Sequence, residues 1–400
     1  MDDEVLVIGS GPAGLSCAAE LGRRGVGATV LERGPALAHE WAGRYDAMRF
    51  NTSRVHSSLP GAPFPREWGQ FPTRDHYLGY LQAYAEAHRV RIRTGVEVSR
   101  IERDREGWGL STSAGPALST HVIVATGLAN RPITPAWAVT RSFGGSVLQA
   151  HDYRNPEPFA GRDVVVVGAG ATGLEIAHDL ARGGAGAVHL SFRSPPNIIY
   201  RWMGGAPSDL PVPLLLHLPV RAVDAMFAVL QRTVVGDLSA YGLPPAPEGA
   251  IAGLKRRGAG TAVIDRDVVD AIREGVFTVV PEVTGLEAEG VRLVDGRRVD
   301  CSAVILAVGY TTGLRPLVGH LGVLDERGMP STSSGEETLP GLHFVGYVYR
   351  PGLTGYVGCQ ARRVAREIAA REKAGRRVRD GSRPRAWRRS TSRDHAGSAG

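Results

Sequence analysis

Runs of four or more aliphatic residues recur along the chain, each ending in a glycine turn. Val5-Leu6-Val7-Ile8 is the first. A run with no polar position suits a strand buried on both faces of a parallel sheet. Gly9-Ser10-Gly11-Pro12-Ala13-Gly14 follows, the pattern turns helical from about Pro12 to Arg24, and the next strand ends at Val30-Leu31-Glu32. The same order restarts at Val164. Val164 to Val167 lead into Gly168-Ala169-Gly170-Ala171-Thr172-Gly173, a helix to about Arg182, and a strand near Val188-His189-Leu190. These two βαβ openings are too far apart for a small repeat and suit two nucleotide-binding units. Further buried strands are predicted at Val122 to Val124, leading into Ala125-Thr126-Gly127, and at Val304 to Leu306, leading to Gly309. Asp75 to His88 reads as a helix, with Tyr77, Leu81 and Tyr84 at helical spacing. Leu210 to Leu230 is apolar but broken by prolines. It carries His217, Arg221 and Asp224, with Asp209 just before it, and reads as a lid or substrate-side element. The last helix is expected over about Gly358 to Glu372.

The glycine turns carry the chemistry. In such a motif the first Gly makes the tight turn, the second lets the backbone approach a pyrophosphate, and the third lets helix and strand pack closely. The anion then sits at the helix N-terminus, where N–H groups and the macrodipole favour negative charge. The end of the second strand discriminates ligands. After the first motif it holds Glu32, followed by Arg33, and a carboxylate there accepts hydrogen bonds from ribose hydroxyls and repels a 2′-phosphate. After the second motif the chain reads Ser191-Phe192-Arg193-Ser194, with no acid. Arg193 suits a 2′-phosphate, so NADPH is expected there. Two dinucleotides in one chain imply electron relay from nicotinamide to flavin.

Composition excludes several function classes. Glycine makes up 52 of 400 residues without periodicity, against a usual share of about 7%. There is no run long enough to span a membrane, and the acidic start, Met1-Asp2-Asp3-Glu4, does not read as a signal peptide. Cys17, Cys301 and Cys359 lie far apart with no Cys-x-x-Cys, so no dithiol relay is encoded and a reducing cytoplasm is expected. No metal-binding cluster appears, and no metal is expected. The net charge of +7 resides in residues 371–400, which hold ten Lys/Arg and three Asp/Glu. The other 370 residues balance. The basic segment is expected to be a disordered tail, and nucleic acid is not an expected partner.

Several motifs together resemble the flavin-containing monooxygenase family, in its short bacterial and YUCCA-like branch, over about residues 1–370. Ala125-Thr126-Gly127 with Pro132 is similar to its A-T-G-x-x-x-x-P linker. Leu306-Ala307-Val308-Gly309-Tyr310 resembles L-A-T-G-Y. Trp41, Arg44, Tyr45 and Asp46 match W-x-x-x-Y-D, and Phe50-Asn51-Thr52-Ser53 resembles the stretch with an Asn beside the flavin. Gly346, Thr354 and Gly355 resemble the final FAD segment. The identifying motif F-x-G-x-x-x-H-x-x-x-Y/F aligns with Phe143, Gly145 and Tyr153, but Gln149 occupies the His position, with His151 two residues on. Gln cannot change charge near neutral pH.

The resemblance implies an α/β fold with two Rossmann-like dinucleotide-binding domains, the NADPH domain (156–295) inserted into a discontinuous FAD domain (1–155 and 296–370). It implies an NADPH- and O2-dependent FAD monooxygenase that oxygenates a small organic substrate through a flavin C4a-(hydro)peroxide. Asn51 and Gln149 are the catalytic candidates, and the helix after Gly355 is expected to aim its positive end at the flavin. Phe64, Trp68, Phe71, Trp202 and Met203 are candidate cavity liners. N-, S- and carbonyl oxygenation stay open, as does oligomeric state. The alternatives are a flavoprotein reductase without oxygen insertion and a non-catalytic redox sensor.

Overall fold

The computed structural model describes residues 4–105, 107–139, 142–258 and 261–381. Two parallel sheets form its two cores. In the first, Val5–Ile8 is flanked by Thr29–Leu31 and His121–Val124, all parallel. The full strand order is Glu337–Leu339, Leu342–Phe344, His121–Val124, Val5–Ile8, Thr29–Leu31, Arg91–Arg93, with only the first of these antiparallel. The aliphatic run Val5–Ile8 is buried throughout, as a central strand covered on both faces must be. The helix Pro12–Gly22 packs against a long final helix, Leu353–Gly381. The helix expected from Tyr77, Leu81 and Tyr84 spans Arg74–Ala87, with Thr73 as N-cap, and buries those three side chains.

The second sheet runs Thr278–Val280, Val188–Ser191, Val164–Val167, Ala303–Leu306, Ser146–Gln149, all parallel. Its edge strand precedes residue 156 and Ala303–Leu306 follows residue 295, so the chain enters this unit near 146 and leaves it after 306. The expected limits, 155/156 and 295/296, would leave both of these strands with the first unit. A buried aliphatic strand has the same pattern whichever sheet it joins. The choice is made by long-range pairing of Val164 with Ala303 and of Ala303 with Ser146. Both units carry the same insertion before the re-entering strand, a three-stranded antiparallel sheet: Val98–Asp104, Gly107–Thr112 and Ala117–Ser119 in one, Val283–Glu287, Gly290–Leu293 and Arg298–Asp300 in the other. The crossings between units are tied together where Tyr310–Thr311 pairs with Arg131–Pro132.

Two further expectations are modified. The Pro-broken stretch folds as helices Val212–Leu215 and Val220–Leu230, and the second buries only Val223. The final helix starts at Leu353 and continues to Gly381, so the first part of the expected tail is helical; residues 382–400 lie outside the described residues. No helix among the described residues is long and apolar enough to cross a membrane.

Candidate cofactor and active site

The two glycine motifs have the same steric logic. Gly9 has φ +102°, and a Cβ there would lie 2.7 Å from the Ala125 carbonyl oxygen. Gly168 has φ +117°, and its Cβ would lie 2.3 Å from that of Ala307. Both turns need the left-handed region that glycine alone enters without strain. A Cβ on Gly14 would sit 1.9 Å from the Gly9 carbonyl oxygen, and one on Gly173 1.7 Å from that of Gly168. The middle glycines differ. Around Gly170 nothing lies within 4 Å, and around Gly11 the nearest atom is Trp41 Nε1 at 3.9 Å. The protein's own packing does not need glycine there, and the open space is what close approach of a pyrophosphate to the backbone requires. Neither helix following, Pro12–Gly22 or Ala171–Arg182, has a side-chain cap, which leaves its first turn for an anion.

A cavity of about 590 Å³ opens over the first motif. Its wall takes in Gly9, Gly11, Pro12, Ala13, Glu32, Arg33, Trp41, Arg44, Asn51, Ala125, Thr126, Gly127, Gly346 and Thr354. It also reaches Ala171 and Thr172, the first turn of the second motif's helix. Glu32 is buried: it accepts from the Ser10 amide at 3.0 Å and hydroxyl at 2.5 Å through Oε2, and from the Gly34 amide at 2.8 Å through Oε1. A carboxylate fixed at both oxygens keeps lone pairs aimed at the cavity for ribose hydroxyls. Arg33 pairs with Glu40. Arg44 donates to the Tyr310 hydroxyl at 3.1 Å and lies over its ring, so Tyr310 acts behind the wall. Tyr347, pushed up to about 12 by burial, keeps its proton and bonds Thr126 at the amide (3.1 Å) and hydroxyl (2.7 Å). Gly127, Gly309 and Gly346 all have positive φ where their strands end.

Other expected residues fall outside this wall. Gly355 is closely packed: a Cβ there would meet the His56 carbonyl oxygen at 2.4 Å, and the preceding Leu353 and Thr354 line the cavity. Gln149 ends its strand and donates to Thr134 Oγ1 at 2.8 Å. His151 comes nearer the wall, with Nδ1 3.8 Å from Glu40 Oε2. Arg193 and Ser194 follow the strand Val188–Ser191 in the second unit; Arg193 is exposed and makes no ion pair among the described residues. Phe64 belongs to an aromatic cluster with Phe50, Tyr77 and Tyr80, Trp68 stacks on His76, and Phe71 meets Trp202 edge-on. Like Met203, these line no part of the cavity. Trp41 stacks parallel on Phe50 and edge-on to Tyr77, and this stack stiffens the cavity's apolar side.

Sequence reasoning missed a buried polar cluster at the seam between the units. Asn51 Oδ1 accepts from Arg201 at 3.1 Å, and Arg201 also meets Glu175 and Asp265. Tyr45, in the cavity wall, donates to Glu175. Burial raises the Glu175 carboxyl above its ordinary value against the opposing pull of Arg201 and Tyr45. Burial likewise raises Tyr45 well above its ordinary value, reinforced by Glu175, so it is a permanent donor.

Comparison with known proteins agrees with this geometry. The family model for pyridine nucleotide-disulphide oxidoreductases matches residues 6–197. With no Cys-x-x-Cys in the chain, the shared part is the nucleotide-binding architecture. The chain is 33% identical over 374 residues to indole-3-pyruvate monooxygenase YUCCA1 of Oryza sativa subsp. japonica, covering 91% of this chain and 90% of that one. It is 30% identical over 356 residues to the probable indole-3-pyruvate monooxygenase YUCCA4 of Arabidopsis thaliana, covering 88% and 86%. Among solved structures, a flavin-containing monooxygenase from Stenotrophomonas maltophilia superposes with TM-score 0.67 at 22% identity over 92% of this chain and 99% of that one. An oxidized steroid monooxygenase bound to NADP gives 0.73 at 18%, over 94% and 86%.

Proposed function

The chain belongs to the flavin-containing monooxygenase family, and from that premise we propose that this NADPH- and O2-dependent FAD monooxygenase acts on an apolar, aromatic 2-oxo acid. The observation that carries the reading is one cavity walled by the first turns of both glycine-motif helices, Gly11 to Ala13 and Ala171 to Thr172. FAD is assigned to the first unit, with its adenosine half on Gly11, Glu32 and Arg33. NADPH is assigned to the second, with its pyrophosphate on Gly170 to Thr172 and its 2′-phosphate on Arg193 and Ser194. FAD held there would supply the redox chemistry between NADPH and O2.

The chain's own groups do the rest. The first turns of both helices and of Leu353–Gly381 would offer N–H groups and positive dipole ends to anionic parts of the cofactors. The Trp41–Phe50 stack keeps one side of the cavity apolar and excludes water. Asn51 offers an amide donor to the reacting oxygen or carbonyl. Arg44 and Arg49 supply positive charge in the wall for a substrate carboxylate.

Among the oxygenations, the carbonyl route is favoured by the relatives' substrate, indole-3-pyruvate. A 2-oxo acid, O2, NADPH and a proton would give the acid one carbon shorter, CO2, NADP+ and water. The C1–C2 bond breaks, one oxygen atom enters the acid and the other leaves as water. The reading puts the enzyme in the cytoplasm, where NADPH is supplied. The test is anaerobic mixing of the purified yellow protein with NADPH, then oxygen uptake with indole-3-pyruvate. Bleaching and one CO2 per O2 are expected. Protein that stays colourless after reconstitution, or a flavin that NADPH leaves oxidised, would refute it.

A further inference from the structure

Arg201 crosses the seam between the units while only 2% exposed. It follows the strand Asn197–Tyr200, which pairs with Thr261–Ile264 in the second unit. Its Nε donates to the Phe50 carbonyl at 3.0 Å, and its Nη2 to Asn51 Oδ1 at 3.1 Å and the Arg49 carbonyl at 3.4 Å. On the other side Nη1 holds Asp265 at 2.7 Å, and Nη2 meets Glu175. Glu175 stands in the first turns of the helix Ala171–Arg182, whose start lines the cavity. One planar fork therefore grips three consecutive residues of the first unit and two carboxylates of the second.

Such a cluster is a poor way to gain stability. Desolvating these charges cancels much of their attraction, and apolar packing of equal volume is often as stable. What it provides is geometry. Asn51 is exposed in the cavity wall, and with Oδ1 accepting from Arg201 its Nδ2 is the part of the amide left to donate. Building on the monooxygenase reading, we infer that Arg201 is a positioning residue that fixes the Asn51 amide as a donor toward the cavity and locks its segment to the nicotinamide-side helix. Lysine cannot replace it, because three donors on one point charge cannot reach carbonyl, amide and carboxylates together.

The test uses the full FAD-loaded chain as wild type, Arg201→Lys, Asn51→Ala and the double variant. Hydrogen exchange of residues 48–53 reads the positioning directly. Arg201→Lys should speed exchange there roughly tenfold or more, whereas Asn51→Ala should not; unchanged protection in Arg201→Lys overturns the inference. Turnover with indole-3-pyruvate as probe reads the consequence. Arg201→Lys should lower coupled turnover roughly 10- to 100-fold in the wild-type background and have little further effect in Asn51→Ala, while still lowering the melting temperature in both. Losses that multiply in the double variant point to general damage and overturn it. Should Arg201→Lys not retain FAD, Asn51→Asp serves instead. It keeps an acceptor for Arg201 and removes the amide donor, so the melting temperature should hold and coupled turnover fall; wild-type turnover in this variant overturns the inference. A wild-type flavin that NADPH fails to bleach sinks the functional reading alone, and the exchange experiment still judges Arg201.

Discussion

Asp209 Oδ2 accepts hydrogen bonds from the Ser53 amide at 2.8 Å and the Ser53 hydroxyl at 2.9 Å, and the His56 ring lies 2.9 Å from the same oxygen. Asp209 opens the Pro-broken stretch, and Ser53 is two residues beyond Asn51. The element read from sequence as a lid is thus moored to the segment that carries the catalytic candidate. Ser53 is fully buried. Asp209→Ala leaves both its donors without an acceptor and should cost about 2–4 kcal/mol, measured by urea denaturation of the holoenzyme. Asp209→Asn, which keeps one carbonyl, should cost less. A midpoint unchanged in Asp209→Ala would show that the mooring carries no stability.

The glycine geometry separates packing from binding. Gly14→Ala puts a methyl 1.9 Å from the Gly9 carbonyl oxygen, so this variant should be colourless or fail to fold. Gly170→Ala meets nothing within 4 Å of protein. It should stay yellow and melt as wild type, yet raise the KM for NADPH roughly tenfold or more, because the methyl occupies the pyrophosphate cradle. Wild-type NADPH kinetics in that variant would move the nicotinamide cofactor elsewhere.

Arg193 tests coenzyme choice. Removing one charge-assisted contact to a 2′-phosphate is worth about 1.5–3 kcal/mol, so Arg193→Ala should raise the KM for NADPH roughly 10- to 100-fold and leave that for NADH nearly unchanged. Equal loss with both coenzymes in steady-state assays would rule out the assignment.

Acid sensitivity has an identifiable source in His343, on the strand Leu342–Phe344. Burial pushes its imidazole down to about 4, with Glu337 opposing. The folded state keeps this ring neutral, while the unfolded chain protonates it near 6.5. Its contribution is therefore present above about pH 6.5 and is lost as pH falls toward 4. Between pH 7 and pH 5 the loss should be about 2 kcal/mol. His343→Leu should flatten that slope in urea titrations, and a slope as steep as wild type would locate the acid lability in other groups.

Both glycine turns were legible in the sequence because their demands are local. Within six residues Gly9 and Gly168 take the positive φ, and Gly14 and Gly173 leave no room for a Cβ against their carbonyls. The aliphatic strands were legible for the same reason, but their sheet membership was not. Nothing in Ala303-Val304-Ile305-Leu306 says which core it enters. Arg201 and Glu175 carried no local signal at all, and Asp209 stood out only as a charge beside the Pro-broken stretch. Each is an ordinary charged residue by pattern, and its partners lie 26 to 156 residues away in sequence. The close approach of the His56 carbonyl to Gly355 was likewise illegible, because no periodicity connects the two residues.

The strands at either end of the second unit, Ser146–Gln149 and Ala303–Leu306, run side by side in register. An insert whose entrance and exit are adjacent behaves as a cassette. It can be exchanged between related chains at those two joints without lengthening either connection, and, on the proposed assignment of the cofactors, coenzyme preference would travel with it while the host keeps its own.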